Sequence, residues 1–238
     1  MFDNLKTDET IEEQGDSLGG YLLDSDAYRM VIDMAYFDES SGGAASLNFV
    51  FKNDKGQQLR QTLWMTSGKA KGQNNYYLDS KGNKQYLPGF SQANNICGLA
   101  IGKDVATVAA EAEEKTINLY DYETKKDKPQ AKRVAMELIG AEIILGVMRQ
   151  TVDKNVKQDD GSYKPGGETR DENEVVKAFR AKDGLTAAEI RAEATEAVFL
   201  DKWTKKNQGV VLNKAKGAKE GGTTVGSPAA SSTGSLFP

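Results

Sequence analysis

The chain has 238 residues, no histidine, one cysteine and a formal net charge of −4. That length accommodates one large domain or two small ones around a proper core. Without histidine there is no imidazole base, no Ser-His triad and no His-ligated metal, and the single Cys97 makes neither an internal disulfide nor a Cys-based zinc site. No apolar run is long enough to span a bilayer; the longest, near residues 138–147, contains Glu142. The opening residues are acidic and polar, unlike a secretory or mitochondrial leader. These features predict a cytoplasmic, non-enzymatic protein with no cofactor, no bound metal and no membrane partner.

Residues 1–20 form an acidic arm with little apolar content beyond Phe2, Leu5 and Ile11, which reads as a flexible or docking segment. Alternation then begins. Tyr28, Met30, Ile32, Met34 and Tyr36 share one parity, with Arg29 and Asp33 on the other, which predicts a half-buried strand. Leu47, Phe49 and Phe51 alternate with Asn48, Val50 and Lys52 in a second strand, and Asn53-Asp54-Lys55-Gly56 supplies a hairpin turn. In a third strand Leu59, Leu63 and Met65 oppose Arg60, Thr62 and Trp64. If the leucines face the core, Trp64 faces outward beside Arg60.

Residues 66–89 read as a long glycine-punctuated insertion, a length that in a compact domain marks either a functional loop or disorder. A short helix is expected over Phe90–Ile101, with Cys97 as a buried structural thiol. Thr116–Glu123 predicts a strand with Tyr120 and Tyr122 outward, followed by a basic turn at Lys125–Pro129. Further strands are expected at Val134–Leu138, Glu142–Val152 and Asn173–Arg180, with a polar hairpin tip over Lys154–Glu172. Thr186-Ala-Ala-Glu189 is a capping box opening an alanine-rich helix that ends near Gly209. Residues 211–238 are of low complexity and are expected to be a disordered tail ending in Leu236 and Phe237.

Several short strands, one inserted helix and one closing helix fit a mainly β fold with α elements. The expected architecture is an OB-fold-like β-barrel, the oligonucleotide-binding type, over residues 21–210. Between Lys52 and Phe90 the local net charge is +5 in an otherwise acidic chain, and the cations are interleaved with Trp64, Tyr76, Tyr77, Tyr86 and Phe90. Cations that track phosphates beside rings that stack bases are what a single-strand groove requires. The candidate contacts are Lys52, Arg60, Lys69, Lys71 and Lys84 for phosphate, and Trp64, Tyr76 and Tyr77 for bases. A solvated lysine-rich surface over ordinary core aromatics fits the same composition. Glu123-Thr124-Lys125, with Asp104 or Asp121, has the Glu-x-Lys form of metal-dependent nucleases, but such a tripeptide arises by chance in a chain that is 28% charged.

Leu63-Trp64-Met65-Thr66-Ser67-Gly68, Lys71-Gly72 and Tyr86-Leu87-Pro88-Gly89 resemble bacteriophage single-stranded-DNA-binding proteins of the oligonucleotide-binding-barrel type. Leu138-Ile139-Gly140, the strand end at Phe179 and the run from Trp203 to Gly209 resemble the same group. The resemblance implies a protein that coats single-stranded DNA during phage replication, recombination and repair. It also implies a tail, here with Leu236 and Phe237, that recruits replication or recombination proteins. The tail departs from that pattern: Lys214, Lys216 and Lys219 face only Glu220, and the acidic segment lies at the other end. A protein-interaction or virion-associated module is the alternative reading, and a carboxylate-metal nuclease the third.

Overall fold

A computed structural model describes residues 22–121, 124–158 and 163–216. The described residues fall into two compact units, the first within 1–150 and 171–212 and the second within 151–170 and 213–238.

The first unit is mainly β and antiparallel. Strands β1 (Asp26–Glu39), β2 (Ala45–Lys52) and β3 (Gln58–Trp64) form a meander, with Leu47 opposite Leu63 and Phe51 opposite Leu59. Leu47, Phe49, Phe51, Leu59 and Leu63 are buried, as the alternation predicts. A short hairpin, β4 (Tyr76–Leu78) and β5 (Lys84–Tyr86), precedes helix α1 (Pro88–Ile101). Proline opens α1, and Ala93, Ile96, Cys97 and Leu99 bury its inner face in the core. Burial in these apolar surroundings pushes the Cys97 thiol up to about 12. A second helix, α2 (Val105–Glu111), was not expected from the sequence. Asp104 caps it, accepting the Thr107 N–H at 2.8 Å, and that bond holds the Asp104 carboxyl below its usual range.

β6 (Glu113–Asp121) and β7 (Lys126–Val134) form a hairpin joined to β1 through Tyr36 and Phe37. The basic run expected as a turn therefore lies mostly in β7, and the residues expected as the strand Val134–Leu138 include a 3-10 turn at Met136–Leu138. β8 (Glu142–Lys157) pairs with the first half of β1, and β9 (Tyr163–Arg180) pairs with β8. The polar stretch expected as a hairpin tip is thus largely strand. After β9 come α3 (Ala187–Arg191), α4 (Val198–Asn207) and β10 (Val211–Asn213), which pairs with β8.

The strand path runs β3-β2-β1-β8-β9, and it is not a closed barrel. No ladder joins β9 to β3 among the described residues. Instead, Gln61 on β3 accepts the Val175 N–H at 3.0 Å, and Gln92 on α1 donates to the Val175 carbonyl. One glutamine side chain from β3 and one from α1 thus reach the β9 backbone where no ladder runs.

Two further expectations change. The alternation of β1 breaks at a bulge between Ile32 and Met34. Met30, Ile32 and Ala35 are buried, while Met34 and Tyr36 come to lie opposite Val50 and Asn48 on the outer face. The alanine-rich segment after Thr186 is two helices rather than one. The capping box is present, but the Glu189 carboxylate also accepts the Phe199 N–H at 2.8 Å, so one side chain serves the starts of both helices. Glu193, between them, takes a left-handed φ of 53°. Trp203 of α4 is buried against Met148 and Phe179.

In the second unit, Lys154 pairs with Glu168 at 2.9 Å, and the Lys214 N–H donates to the Thr151 carbonyl at 2.8 Å. The tail expected to be disordered from residue 211 instead begins with β10, because Val211–Asn213 find backbone partners along β8; the acidic arm, residues 217–238 with Leu236 and Phe237, Tyr122 and Glu123 lie outside the described residues.

Candidate nucleic-acid interface

The outward parity of β3 holds to its end. Arg60, Thr62 and Trp64 are exposed while Leu59 and Leu63 are buried. Trp64 retains 49% of its surface, an unusual exposure for the largest apolar side chain. Its backbone, by contrast, is tightly packed. A Cβ on Gly89 would stand 2.2 Å from the Trp64 carbonyl oxygen, so only glycine lets the first turn of α1 lie against the end of β3.

Trp64 borders a groove of about 740 Å³ whose walls come from four segments. Thr66, Ser67, Gly68 and Lys71 form one side, Leu87 to Gly89 and Gln92 another, and Gly42 closes an end. Gln61 and Glu174 of the glutamine seam lie in the same lining. The loops around the groove are tied together. Lys69 N–H donates to the Gly42 carbonyl at 2.8 Å and the Gln73 side chain to the Gly43 carbonyl at 2.8 Å. Ser67 N–H donates to Asn74 O at 2.8 Å, and Leu87 N–H to Asn75 O at 2.9 Å. The insertion 66–89 is therefore an ordered wall, with a 3-10 turn at Lys69–Lys71 and the β4–β5 hairpin. Asp79 shapes the tip of that hairpin by accepting the Asn83 and Lys81 N–H groups, which lower its carboxyl.

The expected contacts divide among three places. Trp64 and Lys71 share the groove, and Arg60 stands on the same outer face, opposite Val50. The Lys69 stem lies over Gly43, and its amine is 3.3 Å from Glu39, so part of its charge is already answered. Tyr76, Tyr77 and Lys84 stand on the hairpin, outside the groove lining. There the Lys84 amine sits 4.4 Å from the Tyr76 ring centroid, a cation–π pair, while Tyr77 occupies the opposite face of the hairpin at 48% exposure. Lys52 is elsewhere. It pairs with Gln58, six residues from Trp64 and so about 20 Å along the strand. It borders a separate groove of about 670 Å³ with Arg29, Asp33, Asp54, Lys55 and Glu142, where charges of both signs mix.

Sequence reasoning missed Tyr36 on the outer face, because nothing in an unbroken alternation announces a bulge. It also missed the polar groove lining of Gln61, Thr66, Ser67 and Gln92, whose role depends on which strands meet. The aromatic set is widened by Tyr86, 61% exposed and tilted on Phe90 at 4.8 Å between centroids.

The carboxylates considered for metal chemistry have other partners. Asp104 caps α2, and Asp121 accepts the Thr124 N–H and hydroxyl. Among the described residues no group of three or more His, Cys, Asp or Glu side chains is arranged to hold a metal ion. No described helix is long and apolar enough to cross a membrane. No protein-family model matches the chain, and no curated protein matches it.

Proposed function

We propose that this chain is a non-enzymatic single-stranded-DNA-binding protein that coats and protects exposed strands in the host cytoplasm, as phage replication and recombination proteins do. The observation that carries this reading is Trp64. It is an exposed tryptophan on the outer sheet face beside Arg60, at the edge of a groove that also holds Lys71. A ring in that position offers its face to a nucleobase, while the cations meet phosphates on either side. The strand path lends support. Five antiparallel strands in the order β3-β2-β1-β8-β9, with a helix between β3 and β8, suit a five-stranded, partly open barrel of the kind whose second and third strands present the ligand face, although here β6, β7 and β10 belong to the same sheet.

A mobility-shift assay with single-stranded and duplex DNA, with and without Mg²⁺, tests the reading. Preferential retardation of the single strand without cleavage is the expected result. No shift would leave the interaction-module alternative, and Mg²⁺-dependent degradation would favour a nuclease.

A further inference from the structure

A smaller pocket, of about 220 Å³, lies next to the Trp64 groove, and Gln92 lines both. The same two elements lead from one to the other. On α1, Gly89 and Gln92 line the groove while Gln92 and Asn95 line the pocket, positions three apart that share one side of a helix. On β9, Glu174 lines the groove, and Val176 and Lys177 line the pocket. From Glu174 to Lys177 is about 10 Å along the strand, and from Gly89 to Asn95 about 9 Å along the helix. The trough that begins at Trp64 therefore continues between α1 and β9, past Gln92.

Its far end is cationic. Lys177 and Arg191 line the pocket, and no described carboxylate does. Both residues are exposed, and among the described residues neither is ion-paired, whereas Lys69 is answered by Glu39. The Lys177 amine stands 5.5 Å from the Phe199 ring centroid, a contact that positions the charge without neutralising it. Thr186 and Phe199, which also line the pocket, bring the Glu189 carboxylate near, but it is committed to their N–H groups at 2.9 and 2.8 Å. The charge of Glu174 stays at the near end, where it repels phosphate. A backbone following the trough thus meets cations on either side of that carboxylate: Lys71 in the groove, then Lys177 with Arg191. These last two come from β9 and α3, far along the chain from the basic run of 52–90.

We propose that this pocket is a second phosphate site for the strand that lies at Trp64, with Lys177 and Arg191 as its contacts. The proposal rests on reading the chain as a single-strand-binding protein, and it carries the contact surface from the sheet face onto β9 and α3.

Paired substitutions in the full chain test this. Lys177→Gln with Arg191→Gln is expected to flatten the dependence of log oligo-dT affinity on log salt by about 1.4, two single-strand phosphate contacts at about 0.7 each, and to leave the melting temperature in place. Arg191→Gln alone, which keeps Lys177 on the Phe199 ring, is expected to give about half that change. Lys55→Gln with Lys126→Gln removes the same charge from the β2–β3 turn and the start of β7, outside the pocket, and is expected to alter the slope little. An unchanged slope in the folded Lys177 and Arg191 variants, with the unsubstituted chain binding and Trp64→Ala weakening it, overturns the second site and leaves the Trp64 reading standing. Equal flattening by both pairs also overturns it, since overall charge would then account for the effect. Failure of the unsubstituted chain to bind oligo-dT removes the strand-binding reading and the second site with it.

Discussion

At the scale of single residues, Trp64 joins an exposed ring to a fully packed backbone, so its two roles separate cleanly. With about half its surface in solvent, the side chain gives up little folding energy on truncation. Stacking on a base, in contrast, contributes about 1–3 kcal/mol. Trp64→Ala is therefore expected to weaken oligo-dT binding about 10- to 100-fold while leaving the melting temperature nearly unchanged, and Trp64→Phe to recover much of the affinity. Fluorescence titration and thermal melts check this; intact affinity in a folded Trp64→Ala variant would remove the ring from the site. The cations are not equivalent either. Lys71 lines the groove, whereas Lys69 is engaged with Glu39. Lys71→Ala is expected to flatten the dependence of log affinity on log salt by about 0.7, the release accompanying one single-strand phosphate contact. Lys69→Ala should flatten it less, and a larger effect at Lys69 would reverse the assignment.

At the scale of elements, the groove depends on how closely α1 approaches β3. Gly89→Ala places a methyl where the Trp64 carbonyl oxygen already is, and the helix has to move away. Overpacking of this kind costs about 1–3 kcal/mol. The expected outcome is a lower denaturant midpoint together with weakened oligo-dT binding, although residue 89 carries no side chain to contact a ligand. Unaltered binding in that variant would detach the groove from the helix. The elements also differ in how legible they were. Strands β2 and β3 and the outward aim of Trp64 follow from period-two alternation, which one buried face enforces. The break between α3 and α4 does not, because alanine favours continuing the helix, while what rewards stopping it lies far along the chain, in the Glu189–Phe199 bond across ten residues and the burial of Trp203. Tyr36 was hidden by the bulge in β1, and Lys52 was grouped with Trp64 because closeness in sequence concealed the length of a strand between them. Helix α2 was the one omission with a local signal, since Asp104 stands ready as its cap.

At the scale of the whole molecule, the absence of histidine leaves the protein without a side chain that ordinarily titrates between about pH 5 and 8. The shifted carboxylates lie lower. The N–H of Thr107 holds Asp104 below 3.8, the N–H of Thr124 does the same for Asp121, and the Arg180 side chain for Asp183. Groups depressed on folding stabilise the native state above their unfolded values, and that contribution disappears as pH falls through the folded ones. The melting temperature is therefore expected to be flat from about pH 5.5 to 8 and to fall below about pH 4. A transition near pH 6.5 in circular-dichroism melts would contradict this. The seam between β3 and β9 has a consequence of another kind. A ladder fixes neighbouring strands about 4.8 Å apart regardless of sequence. Here the Gln61 side chain alone crosses from β3 to the Val175 N–H while Gln92 reaches the Val175 carbonyl from α1, and both side chains line the groove beside Trp64. Asparagine at either position is one methylene shorter and would draw the walls together or let go of one of them. The spacing at Val175 is therefore expected to respond to single-carbon substitutions at these two positions, a calibration that a closed ring of backbone bonds does not permit.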